Sequence, residues 1–198
     1  MDLEFKLGER GIPQWARTHG TDNLQAFDDA LRGTWYGWSM TQEGNAKARA
    51  MFAKAVELDP KYADAYVGMG RTYFQDVWNG WMEVSKAPSV GAQDIVKSQQ
   101  RALERSSEMV QKAIALDDSL PGAYQLLSQL DLYRGRQYER SIADAERAIA
   151  LDPNSASGYF LLAQDQGFAG KPEDAIESAN KAMRLDPRNR DLYLVTVA

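Results

Sequence analysis

Four times the chain writes a variant of one phrase: Ala55-Val56-Glu57-Leu58-Asp59-Pro60, Ala113-Ile114-Ala115-Leu116-Asp117-Asp118, Ala148-Ile149-Ala150-Leu151-Asp152-Pro153 and Ala182-Met183-Arg184-Leu185-Asp186-Pro187. The last three leucines follow at intervals of 35 and 34 residues, whereas Leu58 and Leu116 lie 58 apart, one 34-residue period with 24 residues inserted. A fixed period in this range means stacked copies of one supersecondary unit, because no single copy can bury its apolar face alone.

Small residues recur at fixed phase within each copy, as close helix packing requires, since two helices approach tightly only where side chains are short. They are Gly70, Ser128 and Ala163 in one set, Ala48, Ser106, Ser141 and Ala175 in a second, and Ala55, Ala113, Ala148 and Ala182 seven residues later. Proline after Leu-Asp removes a backbone donor and restricts its predecessor, which ends a helix at the same point each time. Asp118 lacks that proline, although Pro121 follows closely.

The period, the small positions and the Leu-Asp-Pro stop together resemble the tetratricopeptide repeat, a pair of antiparallel helices per copy. The resemblance implies an all-α fold, a right-handed superhelical solenoid of antiparallel helix pairs. It also implies a non-catalytic scaffold that binds a protein or peptide. A narrower likeness rests on Gly20-Thr21-Asp22-Asn23-Leu24-Gln25-Ala26-Phe27, Gly44-Asn45-Ala46-Lys47-Ala48-Arg49, Asp76-Val77-Trp78-Asn79-Gly80-Trp81 and Ala115-Leu116-Asp117-Asp118-Ser119. These are similar to the repeat region that follows the catalytic part in some bacterial class III adenylate/guanylate cyclases and related signalling proteins. The likeness implies a regulatory segment of a larger protein. The segment from Met82 to about Val96 is longer than that pattern, and no residue of cyclase chemistry has a counterpart here.

In order, residues 1–20 read as a linker, with Gly8, Gly11, Pro13 and Gly20 among scattered apolar positions and Trp15 packing on the first helix. The array then fills 21–198, as copies at about 29–62, 63–120, 121–155 and 156–189 and a half copy at 190–198, with an insertion at about 79–97. Thr21, Asp22 or Asn23 caps a first helix running to about Met40, signalled by Leu24, Phe27, Leu31, Trp35 and Trp38. Gly44 and Asn45 read as the turn to a partner helix over Ala46 to Leu58. The insertion opens as a loop at Pro88, Ser89 and Gly91. Ile95, Ala102, Met109 and Leu116 then recur every seven residues, which predicts one long helix from near Ala92. The third copy pairs Gly122 to Arg134 with Tyr138 to Leu151, and the fourth pairs Ala156 to Phe168 with Pro172 to Leu185. The unpaired final helix implies either a cap or a truncated longer array, and truncation is the favoured expectation.

Composition narrows the partners. The net charge is −5 and the isoelectric point about 5.0, which disfavours nucleic acid or anionic lipid held by general electrostatics. There is no cysteine, so disulfides and thiolate metal sites are excluded. No apolar run approaches the ~20 residues that span a bilayer, and Met1-Asp2-Leu3-Glu4-Phe5-Lys6 lacks the form of a signal peptide. A cytoplasmic location is the default expectation.

Candidate binding residues follow from the groove that first helices line in such solenoids: Val67, Arg71 and Phe74, then Gln125, Gln129 and Leu132, then Phe160, Gln164 and Gly167. Gln129 and Gln164 are equivalent, with Arg71 one copy earlier. Primary amides donate and accept, so such a row can satisfy the backbone of an extended peptide, although a merely solvated helix face would look the same. Arg71 is the one cation of the set, which argues against the family's carboxylate-gripping mode. Trp35, Trp38, Trp78 and Trp81 are read as one aromatic patch, either a cap on the open end of the stack or a hot spot for a partner. His19 is the sole histidine and stands among linker residues. Gly68-Met69-Gly70 lies within a helix, without the strand and turn of a phosphate loop. Asp28-Asp29 and Asp117-Asp118 are sequence neighbours that point different ways on a helix, so neither is an acid–base couple. No cofactor, metal site or catalytic residue is expected. The alternative function is self-assembly, through the last helix or the projecting half of the long one.

Overall fold

A computed structural model describes residues 20–81, 92–135 and 137–194. Trp15, His19, the loop residues Pro88, Ser89 and Gly91, and the end of the half copy lie outside the described residues. All regular structure among the described residues is helical: α1 Leu24–Gly37, α2 Gln42–Leu58, α3 Ala63–Trp78, α4 Ala92–Leu116, α5 Pro121–Gly135, α6 Tyr138–Leu151, α7 Ala156–Phe168, α8 Pro172–Leu185 and a short α9 Arg190–Leu194 after a 3-10 turn at Pro187–Asn189. Successive helices pair antiparallel as α1–α2, α3–α4, α5–α6 and α7–α8, and each pair packs on the next.

The repeated phrase has a physical reason at every occurrence. The N–H groups of Asp59, Asp117, Asp152 and Asp186 close the last helical turn on the carbonyls of Ala55, Ala113, Ala148 and Ala182, at 2.8–2.9 Å. The carboxylates then fold the exit turn, Asp59 accepting from the N–H of Lys61 at 2.9 Å, Asp117 from Ser119 at 2.9 Å and Asp152 from Asn154 at 3.2 Å. First helices end differently. Trp81 N donates to the Asp76 carbonyl and Gly80 N to the Val77 carbonyl; Lys171 N and Gly170 N repeat that pair on Gln166 and Gly167. Gly80 and Gly170 stand at φ 67° and 74°, so both turns use glycine's tolerance of the left-handed region to satisfy orphan carbonyls.

The small positions lie at the helix contacts. Ala48, Ser106 and Ser141, with Ala55, Ala113, Ala148 and Ala182 seven residues on and Ser128 and Ala163 on the first helices, are all fully enclosed. A Cβ on Gly70 would stand 3.1–3.2 Å from Leu126, Met109 and the Ser106 carbonyl, and Ser106 Oγ donates to the Gly70 carbonyl at 2.8 Å. The long helix α4 begins at Ala92 as its seven-residue recurrence predicts. Its 25 residues span about 37 Å, and its first turns, Ala92 to Lys97, are exposed.

Two readings of the first copy change. Gly44 and Asn45 lie inside α2, not in a turn, because Thr41 starts the helix a turn earlier by accepting from Gly44 N at 3.0 Å. Asn45 is buried, its Nδ2 donating to the Thr72 carbonyl at 2.8 Å and to Asp76 Oδ1 at 2.7 Å. A Cβ on Gly44 would come 2.8 Å from the Tyr36 carbonyl and still closer to Ser39 Oγ. Gly44→Ala should therefore destabilise by about 1–3 kcal/mol, as overpacking does. An unchanged thermal midpoint would show that this turn yields freely. The second change concerns α1: among the apolar residues that signal it only Phe27 faces inward, with Ala26, Ala30 and Gly33, while Leu24, Leu31, Trp35 and Trp38 stay exposed.

The core is uneven along the stack. Val56 and Met69 pack against both the first cluster, centred on Phe27, Phe52 and Ala65, and the second, centred on Phe74, Val110, Leu126 and Leu130. A third, smaller cluster at α6 and α7 holds Ile142, Ala145 and Leu162.

Candidate functional site

First helices α1, α3, α5 and α7 touch one another in succession, so they form the inner side of the stack. Arg71, Gln129 and Gln164 occur there once per copy on α3, α5 and α7. The two amides are half-buried and Arg71 is exposed. On one side the guanidinium is shielded by α5, where a Cβ on Gly122 would lie 3.7 Å from Nη2. The lost hydration pulls its pKa below the ordinary arginine value.

Other members of the expected groove have different neighbours. Val67 and Phe74 are core residues, 6% and 5% exposed, so neither offers a wall to a ligand. Gln125 Nε2 donates to Ser155 Oγ at 3.0 Å and Ser157 Oγ at 3.3 Å, and Ser155 caps α7 by accepting from Gly158 N. Gln125 thus stitches one copy to the next. The Phe160 ring lies 5.5 Å from that of Tyr193 on α9. Of the expected set, Arg71 is exposed and Gln129, Leu132 and Gln164 are half-buried.

Among the described residues no ring contact joins any of the four tryptophans to another. Trp78 stacks on Phe74 at 6.1 Å and lies 6.5 Å from Tyr133, which meets Phe74 edge-on at 6.0 Å. Trp35 meets Tyr36 edge-on at 5.1 Å. The Trp81 carbonyl accepts from Gln42 Nε2 at 2.9 Å, tying the end of α3 to the start of α2. Without a ring contact among the described residues to join them, the four do not make the single patch expected from the sequence. Tyr133 and Phe168, one near the end of each of α5 and α7, are both exposed. Their spacing of 35 residues was the available signal.

Two polar clusters were not anticipated. Between α2 and α3, Arg49 pairs with Asp76, donates from Nε to Thr72 Oγ1 at 3.0 Å and lies 4.3 Å over the Tyr73 ring. At α5, α6 and α7 three carboxylates gather. Asp165 is 1% exposed, with Ser128 Oγ donating to its Oδ2 at 2.8 Å and no partner for Oδ1 among the described residues. Asp131 is buried, with Arg140 Nε 3.1 Å from its Oδ2. Burial, and secondarily the charge of Asp131, pushes Asp144 up to about 6. Burial pushes Asp165 up to about 7, opposed by hydrogen bonds from Ser128 and Ser141 and reinforced by Asp144. Nothing in the spacing of these aspartates sets them apart from solvated ones.

No protein-family model matches the sequence, and no curated protein is similar to it. Solved structures do match. A Pseudomonas aeruginosa pilF structure is similar over 87% of this chain at 19% identity and a TM-score of 0.62; the match spans 66% of that chain. MamA is similar over 78% of this chain and 85% of its own, at 18% identity and a TM-score of 0.51. The antiparallel pairs and these neighbours define the fold as an all-α, right-handed helical solenoid. More narrowly, it is a tetratricopeptide-repeat array: TTC0263, a thermophilic TPR protein of Thermus thermophilus, is similar over 87% of this chain and 98% of its own, at 16% identity and a TM-score of 0.50. At these identities the likeness is one of fold. Among the described residues no helix is long and apolar enough to cross a membrane.

Proposed function

We propose that the array is a non-catalytic scaffold that binds a protein or peptide along the inner side of its first helices. The observation that supports this reading is the recurrence of Arg71, Gln129 and Gln164 at equivalent positions, one per copy and none of them fully buried. An extended segment repeats its donors and acceptors at regular intervals, and a stack of helices can present amides at a regular interval in return. The scaffold is preformed, so the ordering cost falls on the ligand. Leu132 supplies an apolar contact beside the amides. Groove, linker and copy boundaries belong to this reading, as does a cytoplasmic role as the regulatory segment of a larger signalling protein such as a nucleotide cyclase. The cyclase context rests on the four phrases that resemble such repeat regions.

The double variant Gln129→Ala/Gln164→Ala should bind its peptide about tenfold or more weakly, as losing one or two net hydrogen bonds implies, and should melt where the parent does. Peptides from a displayed random library, selected on the parent and measured by calorimetry, provide the probe. Equal affinity for parent and variant would remove the inner face as the site.

A further inference from the structure

The stripe left outside on α1 and its C-cap residue Trp38, which keeps helical backbone angles, has a pattern of its own. Leu24, Asp28, Leu31, Trp35 and Trp38 follow one another at steps of four, three, four and three residues. At about 100° per residue they fall within an arc of roughly 80°, on the face opposite Ala26, Ala30 and Gly33, which pack into the array. That alternation is the seam along which one helix receives another, knob into hole. The four apolar members are 50%, 37%, 61% and 75% exposed in chain order, a concentration of open apolar surface found on no other helix of the described residues. Scattered single hydrophobic residues need no explanation, but a contiguous set in heptad register does.

The fifth member identifies the occupant. Asp28 is half-buried in the seam, with one carboxylate oxygen held by Arg32 Nε at 2.9 Å. Its other oxygen can accept, and the seam supplies its own donor, because an indole N–H donates only. In an antiparallel pair the two kinds of heptad position face each other across the seam. Placing Leu31 against a second Trp35 places Asp28 against a second Trp38, and the two-fold axis returns the same contacts in reverse. The face is therefore complementary to itself, as a two-fold interface must be.

We propose that the chain forms a two-fold dimer through α1, the helices packing antiparallel with Leu31 against the partner's Trp35 and Asp28 against the partner's Trp38. The dimer uses neither the last helix nor the projecting turns of α4. Four tryptophans and four leucines bring together on the order of 1,000 Å² in all, the lower bound for a specific complex. The dimer is accordingly weak and dissociates within the micromolar to millimolar range.

Sedimentation of the full chain over that range should show a mass rising from 22.1 kDa towards twice that value. Leu31→Glu and Trp35→Lys should each weaken the dimer by tenfold or more while keeping the parent's helical circular dichroism, since both side chains lie outside the core. An equimolar mixture should dimerise again, because the glutamate of one then faces the lysine of the other in one layer and the native Leu31/Trp35 layer survives in the second. A parallel pairing would give no such rescue. A parent that stays monomeric throughout overturns the proposal, whether residues 1–19 or a different protein then covers the stripe. A dimer indifferent to both variants overturns it as well, and would place the interface on another surface.

Discussion

Leu126→Ala should lower the stability of the array by about 2–5 kcal/mol, the range for large-to-small changes at fully enclosed sites. Leu126 is wholly buried on α5, inside the cluster that joins α3, α4, α5 and the Leu120 turn. Its Cδ2 packs against the backbone at Gly70, where even a single added carbon would lie 3.1 Å away. The site is bounded by backbone, so it cannot close over the space the side chain leaves, and the cavity persists. The midpoint of urea unfolding followed by tryptophan emission is the measurement. A loss under about 1 kcal/mol would mean that the helices slide together to fill the gap, and the close packing inferred at Gly70 would have to be given up.

Asp165→Asn should make the protein more stable at pH 8 and change the slope of stability with pH. A carboxyl whose folded pKa is raised from 3.8 to about 7 binds its proton more tightly in the native state than in the unfolded chain. Its contribution is therefore fully present below about pH 4 and is lost as pH rises through 7, at up to about 1.4 kcal/mol per pH unit. The groups that face Asp165 are Ser128 on α5, Ser141 and Asp144 on α6 and, through Asp144, Asp131 and Arg140. Asp144 acts in the same direction, its folded value of about 6 also standing above the ordinary one. Asparagine keeps the shape, retains an acceptor for Ser128 and cannot ionise. Urea midpoints of parent and variant at pH 5 and pH 8 decide the matter: the gap between them should widen in the variant's favour at the higher pH. Parallel profiles would show that Asp165 is ionised in the folded protein at neutral pH, held by partners other than those named.

The alternation of helix and turn was legible because each phrase ends in a residue with one local task. The Leu-Asp-Pro stop is visible from the chain alone, and so is the seven-residue recurrence that starts α4 at Ala92, whereas the aspartate's part in folding the exit turn shows only in the structure. Gly44-Asn45 misled for a physical reason. The pair ordinarily favours a turn, but here glycine admits the Tyr36 carbonyl and asparagine bonds the backbone of α3, both tertiary demands. Val67 and Phe74 were placed by phase on the inner face, which cannot tell an inward residue from one beneath its neighbours. The acidic cluster was illegible because Asp131, Asp144 and Asp165 meet only when three helices do. A dipeptide or short spacing carries no record of that meeting.

The uneven core has a consequence for how the protein is made. Val56 and Met69 bind the first two clusters into one body, whereas the last pairs meet around a smaller cluster beside buried carboxylates. During synthesis the amino-terminal helices leave the ribosome first, and they carry the part of the array best able to hold together alone. Each later pair then arrives one at a time at a surface already formed, as neighbour-to-neighbour stacking allows. The order of translation and the gradient of cohesion run the same way, so a growing chain never needs its last helices to organise its first.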